Sequence, residues 1–521
     1  MSKRDNGSVN SADTGSMLQV FKTVTDNPLI RRILKGISKY CKKDQANRLE
    51  VALELYTGVK ENACAICKLS EKVLSPILRI SSNAFGVAPG QLKEKFADRY
   101  WRRGLASVIK GIAYFGVKRP FVPGAPFQVV WNVTRACNLK CKHCYENAGR
   151  ADKDELNTEE ALRVIDELAA AGVLILAFSG GEPTIRPDIL KLIRRAHRRG
   201  MYVAVATNAT VFANRNKVKE FKKAGLEFAQ ISLDGLNPET HDGFRGVPGT
   251  FDKTIKGIRN CIAEGLFVEM ATTATRYNYK EIPDLIKYAD KLGVNWFMLY
   301  NFIPAGRGAE IVEQDLSPDE REQLLKTLWN YMKEGKVRIQ CLSTAPQFAR
   351  VVMETELGIG KDISRADEVT VPTHFYNPSF AGKLRSLADF IGGCGAGRFY
   401  MAIEPNGDLY PCVFFPHEEE VKVGNLREDR FEDVWQHNQL LLETRDKDLL
   451  DPNCGKCRFH YVCGGCRARA YNYYKNVLAP DPGCVRNKRY WLELKESLKT
   501  AFEAKPTLTG DIILRKVKQE A

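Results

Sequence analysis

Residues 127–144 read FQVVWNVTRACNLKCKHC, an apolar run followed at once by three closely spaced cysteines. The run Phe127–Val133 is short and rich in β-branched residues, which predicts a buried strand. Five similar runs follow, separated by helix-like sequence: Val173–Phe178, Tyr202–Ala206, Phe228–Ser232, Phe267–Thr272 and Trp296–Tyr300. Strands that alternate with helices predict an α/β fold, in which a parallel sheet curls into a partial (β/α)6 barrel.

Polar or glycine-rich turns follow the predicted strands. Because the carboxyl ends of parallel strands meet at one rim of a barrel, we expect these turns to converge there. Glycines let a ligand approach the backbone, polar side chains form hydrogen bonds, and an arginine can bind a carboxylate through two of them. The residues that we predict to bind a cofactor are Gly180, Gly181, Glu182, Pro183, Asn208, Ser232, Asp234 and Arg307.

The cysteines after the first strand are Cys137, Cys141 and Cys144, with gaps of three and two residues. Thiolates bind iron, and gaps this short let one loop wrap a [4Fe–4S] cluster. Three ligands leave one iron open, whereas a structural zinc ion would need a fourth nearby Cys or His. His143 adjoins Cys144 and is poorly placed to share the metal. The triplet therefore predicts an iron–sulfur cluster with an open iron.

This triplet resembles the signature of the radical S-adenosylmethionine (SAM) superfamily, over roughly residues 127–310. The resemblance implies that the open iron chelates SAM and that one electron cleaves SAM to a 5′-deoxyadenosyl radical, which abstracts a substrate hydrogen. The three cysteines would then be catalytic, with an external electron donor such as ferredoxin or flavodoxin. Glu182 suits the SAM ammonium group, and His143 either packs on adenine or is a plain loop residue. Residues suited to the ribose hydroxyls and the methionine carboxylate are Asn208, Ser232 and Asp234.

Seven further cysteines lie near the C-terminus: Cys394, Cys412, Cys454, Cys457, Cys463, Cys466 and Cys484. The region resembles the SPASM domain of radical SAM enzymes, which carries two auxiliary [4Fe–4S] clusters; two zinc sites are the alternative. By this resemblance the first cluster is held by Cys394, Cys412 and Cys466. The second is held by Cys454, Cys457, Cys463 and Cys484.

Two features depart from the commonest SPASM pattern. Gly464 and Gly465 make a gap of two residues where three are usual. The first auxiliary cluster also lacks an obvious fourth ligand, so its fourth site is either open to substrate or filled by a residue that the sequence does not identify. The string from Cys463 to Tyr471 is most similar to radical SAM enzymes of heme and d-type heme synthesis.

The first 126 residues carry most of the excess positive charge, with 22 Lys and Arg against 10 Asp and Glu. Such charge suits an anionic membrane, an acidic partner or a solvated surface; we expect no nucleic acid. Trp101–Phe115 alternates basic and apolar residues at helical spacing, and Leu29–Tyr40 repeats this character. Such a helix either lies in a membrane interface or packs on the barrel.

Five cysteines lie outside the two groups. Cys64 and Cys67 form a Cys-x-x-Cys pair with Cys41 upstream, and these thiols are either buried in a helical stretch or form a further metal or redox site. Cys261 and Cys341 are isolated and predicted to be structural. The sequence shows no apolar run that could span a membrane and no signal-peptide core, so we expect a cytoplasmic protein, with peripheral contact at the inner membrane face as a hypothesis. A reducing compartment favours metal sites over disulfides.

The predicted organisation is a disordered lead-in (1–16), a basic helical region (17–126), a radical SAM barrel (127–341), a connecting segment (342–389), a SPASM-like domain (390–490) and a C-terminal tail (491–521). The predicted function is that of a radical SAM oxidoreductase that oxidises a peptide or protein side chain or a porphyrin propionate. One alternative is C–H functionalisation or C–C bond formation on a membrane lipid. A non-enzymatic alternative is an iron–sulfur electron-transfer or redox-sensing protein.

Overall fold

The computed structural model describes residues 27–84, 89–357 and 388–504. The predicted disordered lead-in lies outside the described residues. So do most of the predicted connecting segment and the tail from residue 505 onward.

Five helices and a short hairpin form the N-terminal region. The helices are α1 Pro28–Ile37, α2 Arg48–Thr57, α3 Ala65–Ala84, α4 Pro89–Ala97 and α5 Arg99–Phe115. The hairpin pairs β1 Tyr40–Cys41 with β2 Ala46–Asn47. Asn27, Asn47 and Asp98 begin three of the helices, because their side chains accept hydrogen bonds from the first backbone N–H groups.

Helix α5 packs between this bundle and the barrel. Arg103 donates to the carbonyl of Ala169, and Lys110 donates to that of Ala171 at 3.0 Å. Lys110 also pairs with Glu432 at 2.8 Å. These basic side chains are buried, so the structure shows the packed alternative for this stretch. Among the described residues, no helix is long and apolar enough to cross a membrane.

A ten-stranded sheet forms the centre of the molecule, and the six predicted strands lie side by side in it, in chain order and parallel. They are β3 Gln128–Asn132, β4 Ile175–Ser179, β5 Tyr202–Thr207, β6 Phe228–Ser232, β7 Phe267–Ala274 and β8 Trp296–Asn301. Val129, Leu176 and Val203 pack with the surrounding helices in the main core. The predicted α/β class with a parallel sheet is confirmed.

Four short strands extend the sheet beyond the prediction. They are β9 Gln340–Ser343, parallel to β8, β10 Tyr400–Ile403, parallel to β3, and the antiparallel β11 Asp408–Tyr410 and β12 Gly424–Asn425. None exceeds four residues, which is too short for a clear periodic signal. Because β10 bonds along β3, the C-terminal cysteine region is fixed to the barrel strand that precedes the first cysteines.

The remaining helices surround the barrel or follow it. Around the barrel lie α6 Thr158–Ala171, α7 Ile189–Arg198, α8 Arg215–Ala224, α9 Pro238–Arg245, α10 Thr250–Ala263, α11 Ile282–Leu292, α12 Pro318–Lys333 and α13 Gln347–Leu357. The helices that follow are α14 Ala388–Ile391, α15 Phe431–His437, α16 Gln439–Arg445, α17 Pro452–Gly455, α18 Arg467–Tyr474 and α19 Lys488–Ala504. Asn157 and Glu160 form a capping box that begins α6.

Candidate active site

A cavity of about 1020 Å³ runs through the barrel lumen. Two sets of cysteines from distant parts of the sequence line it: Cys137, Cys141 and Cys144, and Cys394, Cys412 and Cys466. The lining also includes five of the eight residues predicted to bind a cofactor: Gly180, Gly181, Glu182, Asn208 and Ser232. The predicted convergence of these turns on one side of the sheet therefore agrees with the structure, and their role in cofactor binding stays a prediction.

The loop that carries the first three cysteines is held in place by its own backbone. The N–H of Cys137 donates to the carbonyl of Gly149 at 3.0 Å. The N–H of Lys140 donates to the carbonyl of Arg245 at 3.1 Å, and that of Lys142 to the carbonyl of Phe244 at 3.0 Å. The loop therefore rests on the end of α9, and its thiols are directed into the cavity.

The three thiols have surroundings that suit thiolate ligands. The N–H of Leu139 approaches the sulfur of Cys137 at 3.4 Å, and the N–H of Ala148 approaches that of Cys144 at 3.4 Å. Burial raises the pKa of the Cys137 thiol to about 12, so its thiolate form needs a bound cation to compensate it. A cluster iron is such a cation.

The positions of the sulfur atoms do not favour a single metal ion. A tetrahedral zinc ion with bonds of about 2.3 Å brings its ligand sulfurs to about 3.8 Å from one another. Within the described residues, groups of three or more ligand atoms within 4.8 Å of one another occur in two places, and neither includes any of these ten cysteines. In the described structure, therefore, no three of these ten thiols are close enough together to share one zinc ion.

The glycine pair after β4 lies directly against the cysteine loop. The N–H of Gly181 donates to the carbonyl of Thr134 at 2.7 Å. A Cβ on Gly181 would lie 2.2 Å from the carbonyl oxygen of Ala136, far inside contact distance. A glycine is therefore required here to let the two loops pack together.

We expect Gly181→Ala to displace the cysteine loop, because the added Cβ would clash with the backbone of that loop. Bound iron and the rate of SAM cleavage should each fall at least about tenfold. The matched control is Gly149→Ala, in the same loop, where an added Cβ would meet no atom within 4 Å. Iron analysis and quantification of 5′-deoxyadenosine check the prediction. Equal behaviour of the two variants would contradict it.

Glu182 is buried and accepts hydrogen bonds from its own chain on both carboxylate oxygens. One oxygen accepts from the Thr184 hydroxyl at 2.5 Å and from the Thr207 hydroxyl at 2.7 Å, and the other accepts from the N–H of Asn208 at 2.8 Å. Burial raises the pKa of this carboxyl. Glu182 thus links the turn after β4 to the end of β5, in addition to lining the cavity.

Asn208 links the end of β5 to the cysteine loop, because its side-chain N–H donates to the oxygen of Asn138 at 2.9 Å. Ser232 lines the cavity at the end of β6. Pro183 begins a 3₁₀ turn, Pro183–Ile185, and is buried outside the described lining. Asn208 and Ser232 are thus better placed than Pro183 to reach a ligand in the cavity.

Asp234 is fully buried and lies outside the described lining of the cavity. One of its oxygens accepts from Arg245 at 2.5 Å and lies 3.7 Å from the ring of His143. Burial would raise the pKa of Asp234, but the Arg245 cation lowers it below its usual range. Arg245 also approaches the sulfur of Cys141 at 3.6 Å. The carboxylate therefore holds Arg245 against the thiol, a contact that the sequence did not reveal.

His143 stacks on Phe244, with ring centroids 4.0 Å apart, and it also lines the cavity. Burial lowers the pKa of its ring to about 3. The imidazole is therefore neutral at physiological pH. The structure places His143 between the cavity and α9, which is compatible with either of the two roles that the sequence left open.

Arg307, predicted to bind a carboxylate, instead holds the cysteine loop. Its Nε donates to the carbonyl of Cys141 at 2.7 Å, and its terminal nitrogens lie 3.3 Å from Asn147 and from the carbonyl of Ala148. It lies outside the described lining. We therefore assign Arg307 a positioning role beneath the loop.

The seven C-terminal cysteines differ in their position relative to the cavity. Cys394 and Cys466 are in hydrogen-bond contact with each other and line the cavity together with Cys412. The other four lie outside the described lining: Cys454, Cys457, Cys463 and Cys484. Asn487 approaches the sulfur of Cys454 at 3.5 Å. The first set thus faces the cavity, and the second lies outside its lining.

Glu269 is a buried carboxyl on β7 that lines the lumen. It accepts a hydrogen bond from Gln230, whose oxygen in turn accepts one from the Tyr300 hydroxyl at 3.0 Å. Burial raises the pKa of Glu269 from about 4.5 to about 7. The folded protein therefore binds this proton more tightly than the unfolded chain, and its stability should fall as the pH rises from about 4.5 to about 7.

We expect Glu269→Gln, which is neutral at every pH, to remove this loss. The variant should be more stable than the wild type at pH 8 by about 3 kcal/mol. It should be nearly unchanged at pH 4.5, where Glu269 is protonated in the folded protein and about half protonated in the unfolded chain. Thermal melting at the two pH values checks the prediction. The control is Glu220→Gln, at an exposed carboxylate. A shift that does not depend on pH would count against the assignment.

The chain matches the radical SAM superfamily over residues 131–289 and an iron-sulfur cluster-binding domain, SPASM, over residues 394–458. These matches contain the first cysteine triplet and four of the seven later cysteines. The chain belongs to the radical SAM superfamily, in the branch with a C-terminal SPASM domain. Membership implies a [4Fe–4S] cluster and SAM, and the SPASM domain implies further iron–sulfur clusters.

Several known proteins are similar to this chain. It is 33% identical to an AdoMet-dependent heme synthase from Methanosarcina barkeri, over 69% of this chain and 97% of that protein. It is 29% identical to the mycofactocin maturase MftC from Mycolicibacterium smegmatis, over 69% of this chain and 83% of that protein. The crystal structure of Streptococcus suis SuiB bound to S-adenosylmethionine has a TM-score of 0.57 at 19% identity, over 84% of this chain and 91% of that one.

Proposed function

We propose that Cys137, Cys141 and Cys144 hold a [4Fe–4S] cluster with one open iron, and that SAM binds beside it. When bound, the cluster and SAM supply a 5′-deoxyadenosyl radical that abstracts a hydrogen atom from the substrate. The observation that carries the proposal is that these three thiols and the Gly180–Gly181 turn line a single cavity. The same cavity has room for a second molecule.

The residues around the thiols then fall into two roles. We propose that Gly180, Gly181, Glu182, Asn208 and Ser232 contact SAM, because they line the cavity next to the cysteines. Three other predicted residues would act indirectly. Asp234 would position Arg245, Arg307 would position the cysteine loop, and Pro183 would begin the turn after Glu182. The apolar lumen excludes water from the radical and so limits its side reactions.

We further propose two auxiliary [4Fe–4S] clusters, on the two sets of C-terminal cysteines. Only Cys394, Cys412 and Cys466 line the cavity, and they supply three ligands. The fourth coordination site of that cluster would therefore face the substrate. An auxiliary cluster in this position suits a net oxidation of the substrate.

The substrate class follows from the charge of the lumen. The heme synthase and maturase relatives support a porphyrin propionate and a peptide or protein side chain, respectively. Among the described residues of the lining, Arg245 is the only Lys or Arg, and Asp234 already binds it. A porphyrin with several carboxylates would lack cationic partners in the lumen. We therefore favour an uncharged peptide or protein side chain, with a porphyrin propionate as the second candidate.

The lipid alternative depended on a basic amphipathic surface in the N-terminal region. In helix α5 the cations Arg102, Arg103 and Lys110 are buried and bonded within the protein. These three cations are therefore not available to a membrane. Leu29 and Ile33 on α1 are nevertheless exposed, so a lipid substrate stays as a further alternative.

The test uses the full chain with anaerobically reconstituted clusters, dithionite and SAM. We expect 5′-deoxyadenosine and about twelve irons per chain. An apolar peptide library and a propionate-bearing iron porphyrin are added in separate arms, and the true class should increase 5′-deoxyadenosine and yield an oxidised product. Absence of 5′-deoxyadenosine in every arm would contradict the proposed activity and support the electron-transfer alternative. About four irons would contradict the auxiliary clusters.

A further inference from the structure

The N-terminal region contains a compact group of ligand side chains far from the lumen in sequence. Cys41 ends β1, and Asp44 lies in the turn of the hairpin. Cys64 immediately precedes α3, and Cys67 lies in its first turn. The hairpin and the helix thus contribute two ligands each, although twenty residues separate Asp44 from Cys64.

The four ligand atoms are close enough to share one ion. All of them lie within 4.8 Å of one another. The sulfurs of Cys41 and Cys64 are 3.6 Å apart, and the sulfur of Cys41 is 3.5 Å from a carboxylate oxygen of Asp44. A tetrahedral zinc ion with Zn–S bonds of about 2.3 Å and a Zn–O bond of about 2.0 Å requires ligand separations of about 3.5–3.8 Å.

The arrangement differs from the iron–sulfur sites and from a disulfide. None of the ten cysteines at the lumen and in the SPASM domain belongs to a group this tight in the described structure. Cys41, Cys64 and Cys67 are not in disulfides. The 3.6 Å between the sulfurs of Cys41 and Cys64 is well beyond an S–S bond of about 2.05 Å. A carboxylate with three thiolates completes a tetrahedral set for one ion.

The surroundings are those of a closed structural site. Cys41 and Cys67 are buried, and Val51 and Leu55 pack around them. Three thiolates and a carboxylate around a divalent ion leave an excess of negative charge. Lys60 lies 3.4 Å from Asp44, and the positive end of the twenty-residue helix α3 adjoins Cys64. Both features offset that charge.

We propose that Cys41, Asp44, Cys64 and Cys67 bind one zinc ion. The ion ties the β1–β2 hairpin to helix α3 and so stabilises the N-terminal bundle, on which α5 packs. All four positions are protein ligands, and none lines the lumen cavity, so the site is structural. This inference is independent of the activity proposed for the barrel.

The test measures metals in the full chain with reconstituted clusters. Elemental analysis should find about one zinc per chain, and zinc X-ray absorption should show about three sulfurs at about 2.3 Å and one lighter atom near 2.0 Å. The double variant Cys41→Ser/Cys64→Ser should hold at least fivefold less zinc with unchanged iron. The control Cys261→Ser removes a buried, isolated thiol in α10 and should retain the zinc.

If the double variant fails to fold, the zinc X-ray absorption spectrum of the wild type still tests the proposal. A shell of four sulfurs would show that zinc occupies a vacated cluster site and would overturn the proposal. So would a wild type without zinc, zinc retained by the double variant, or iron in place of zinc. A disulfide between Cys41 and Cys64, seen as a mass lower by about 2 Da, would also overturn it.

Discussion

Replacing Cys141 by alanine should lower the rate of 5′-deoxyadenosine formation by on the order of a thousandfold or more, because groups that act as a unit fail together when one is removed. Cys141 is the most buried of the three thiols. It is contacted by Arg245 at its sulfur and by Arg307 at its carbonyl. Its loss leaves two ligands, too few to hold a cluster with one open iron.

Iron content separates this effect from general damage. The Cys141→Ala variant should lose about four of about twelve irons and keep the rest in the SPASM region. Cys261→Ala is the matched control, because it removes a fully buried thiol from α10 and should retain both iron and SAM cleavage. Substantial SAM cleavage by Cys141→Ala, measured by chromatography of 5′-deoxyadenosine, would contradict the assignment of Cys141 as a cluster ligand.

The barrel could be predicted because its signals are local. Each of the six strands lies in a short, predominantly apolar run, and the polar turns follow the strands directly. The short strand β10 could not be predicted in this way, because its four residues are paired only through β3, more than 250 residues earlier. Its position follows from tertiary contacts, which also bring Cys394 and Cys412 to the lumen.

The cysteine sets could also be predicted, but several side-chain roles could not. Long side chains can reach past the cavity to loop backbone, so residue type and position at the rim do not settle what they contact. Arg307 uses its guanidinium on loop carbonyls, and Asp234 binds Arg245. Arg245 lies 104 residues from Cys141 in sequence, so no spacing rule connects them.

The N-terminal cysteines show the same limit. The Cys64–Cys67 spacing signals a metal or redox site, and Cys41 is a visible third thiol. Asp44 carries no signal of its own, since an aspartate in a turn is common. Only the β1–β2 hairpin brings its carboxylate to the thiols. When two separate elements contribute ligands to one site, the sequence therefore predicts only part of the ligand set.

A buried ion network joins the barrel to the SPASM region. Asp315 is fully buried and accepts from Arg321 at 2.7 Å, from Arg469, and from the Tyr473 hydroxyl at 2.7 Å. Arg321 lies on α12, beside the barrel, and Arg469 lies on α18, which follows Cys466. Burial would raise the pKa of Asp315, but the two arginines lower it. The carboxylate is therefore ionised and holds two cations that would otherwise repel each other.

Asp315→Asn keeps the shape of this side chain and removes its charge. Arg469 then keeps Asp481 as a carboxylate partner at 3.3 Å, whereas buried Arg321 loses the carboxylate with which it forms its ion pair. We expect the free energy of unfolding to fall by about 3–5 kcal/mol, the cost of breaking a buried pair. Urea unfolding followed by circular dichroism measures it. The matched control is Asp433→Asn, at an exposed pair with Arg430, which should cost less than about 1 kcal/mol. If the two variants are equally stable, the charge of Asp315 does not hold the barrel to the SPASM region.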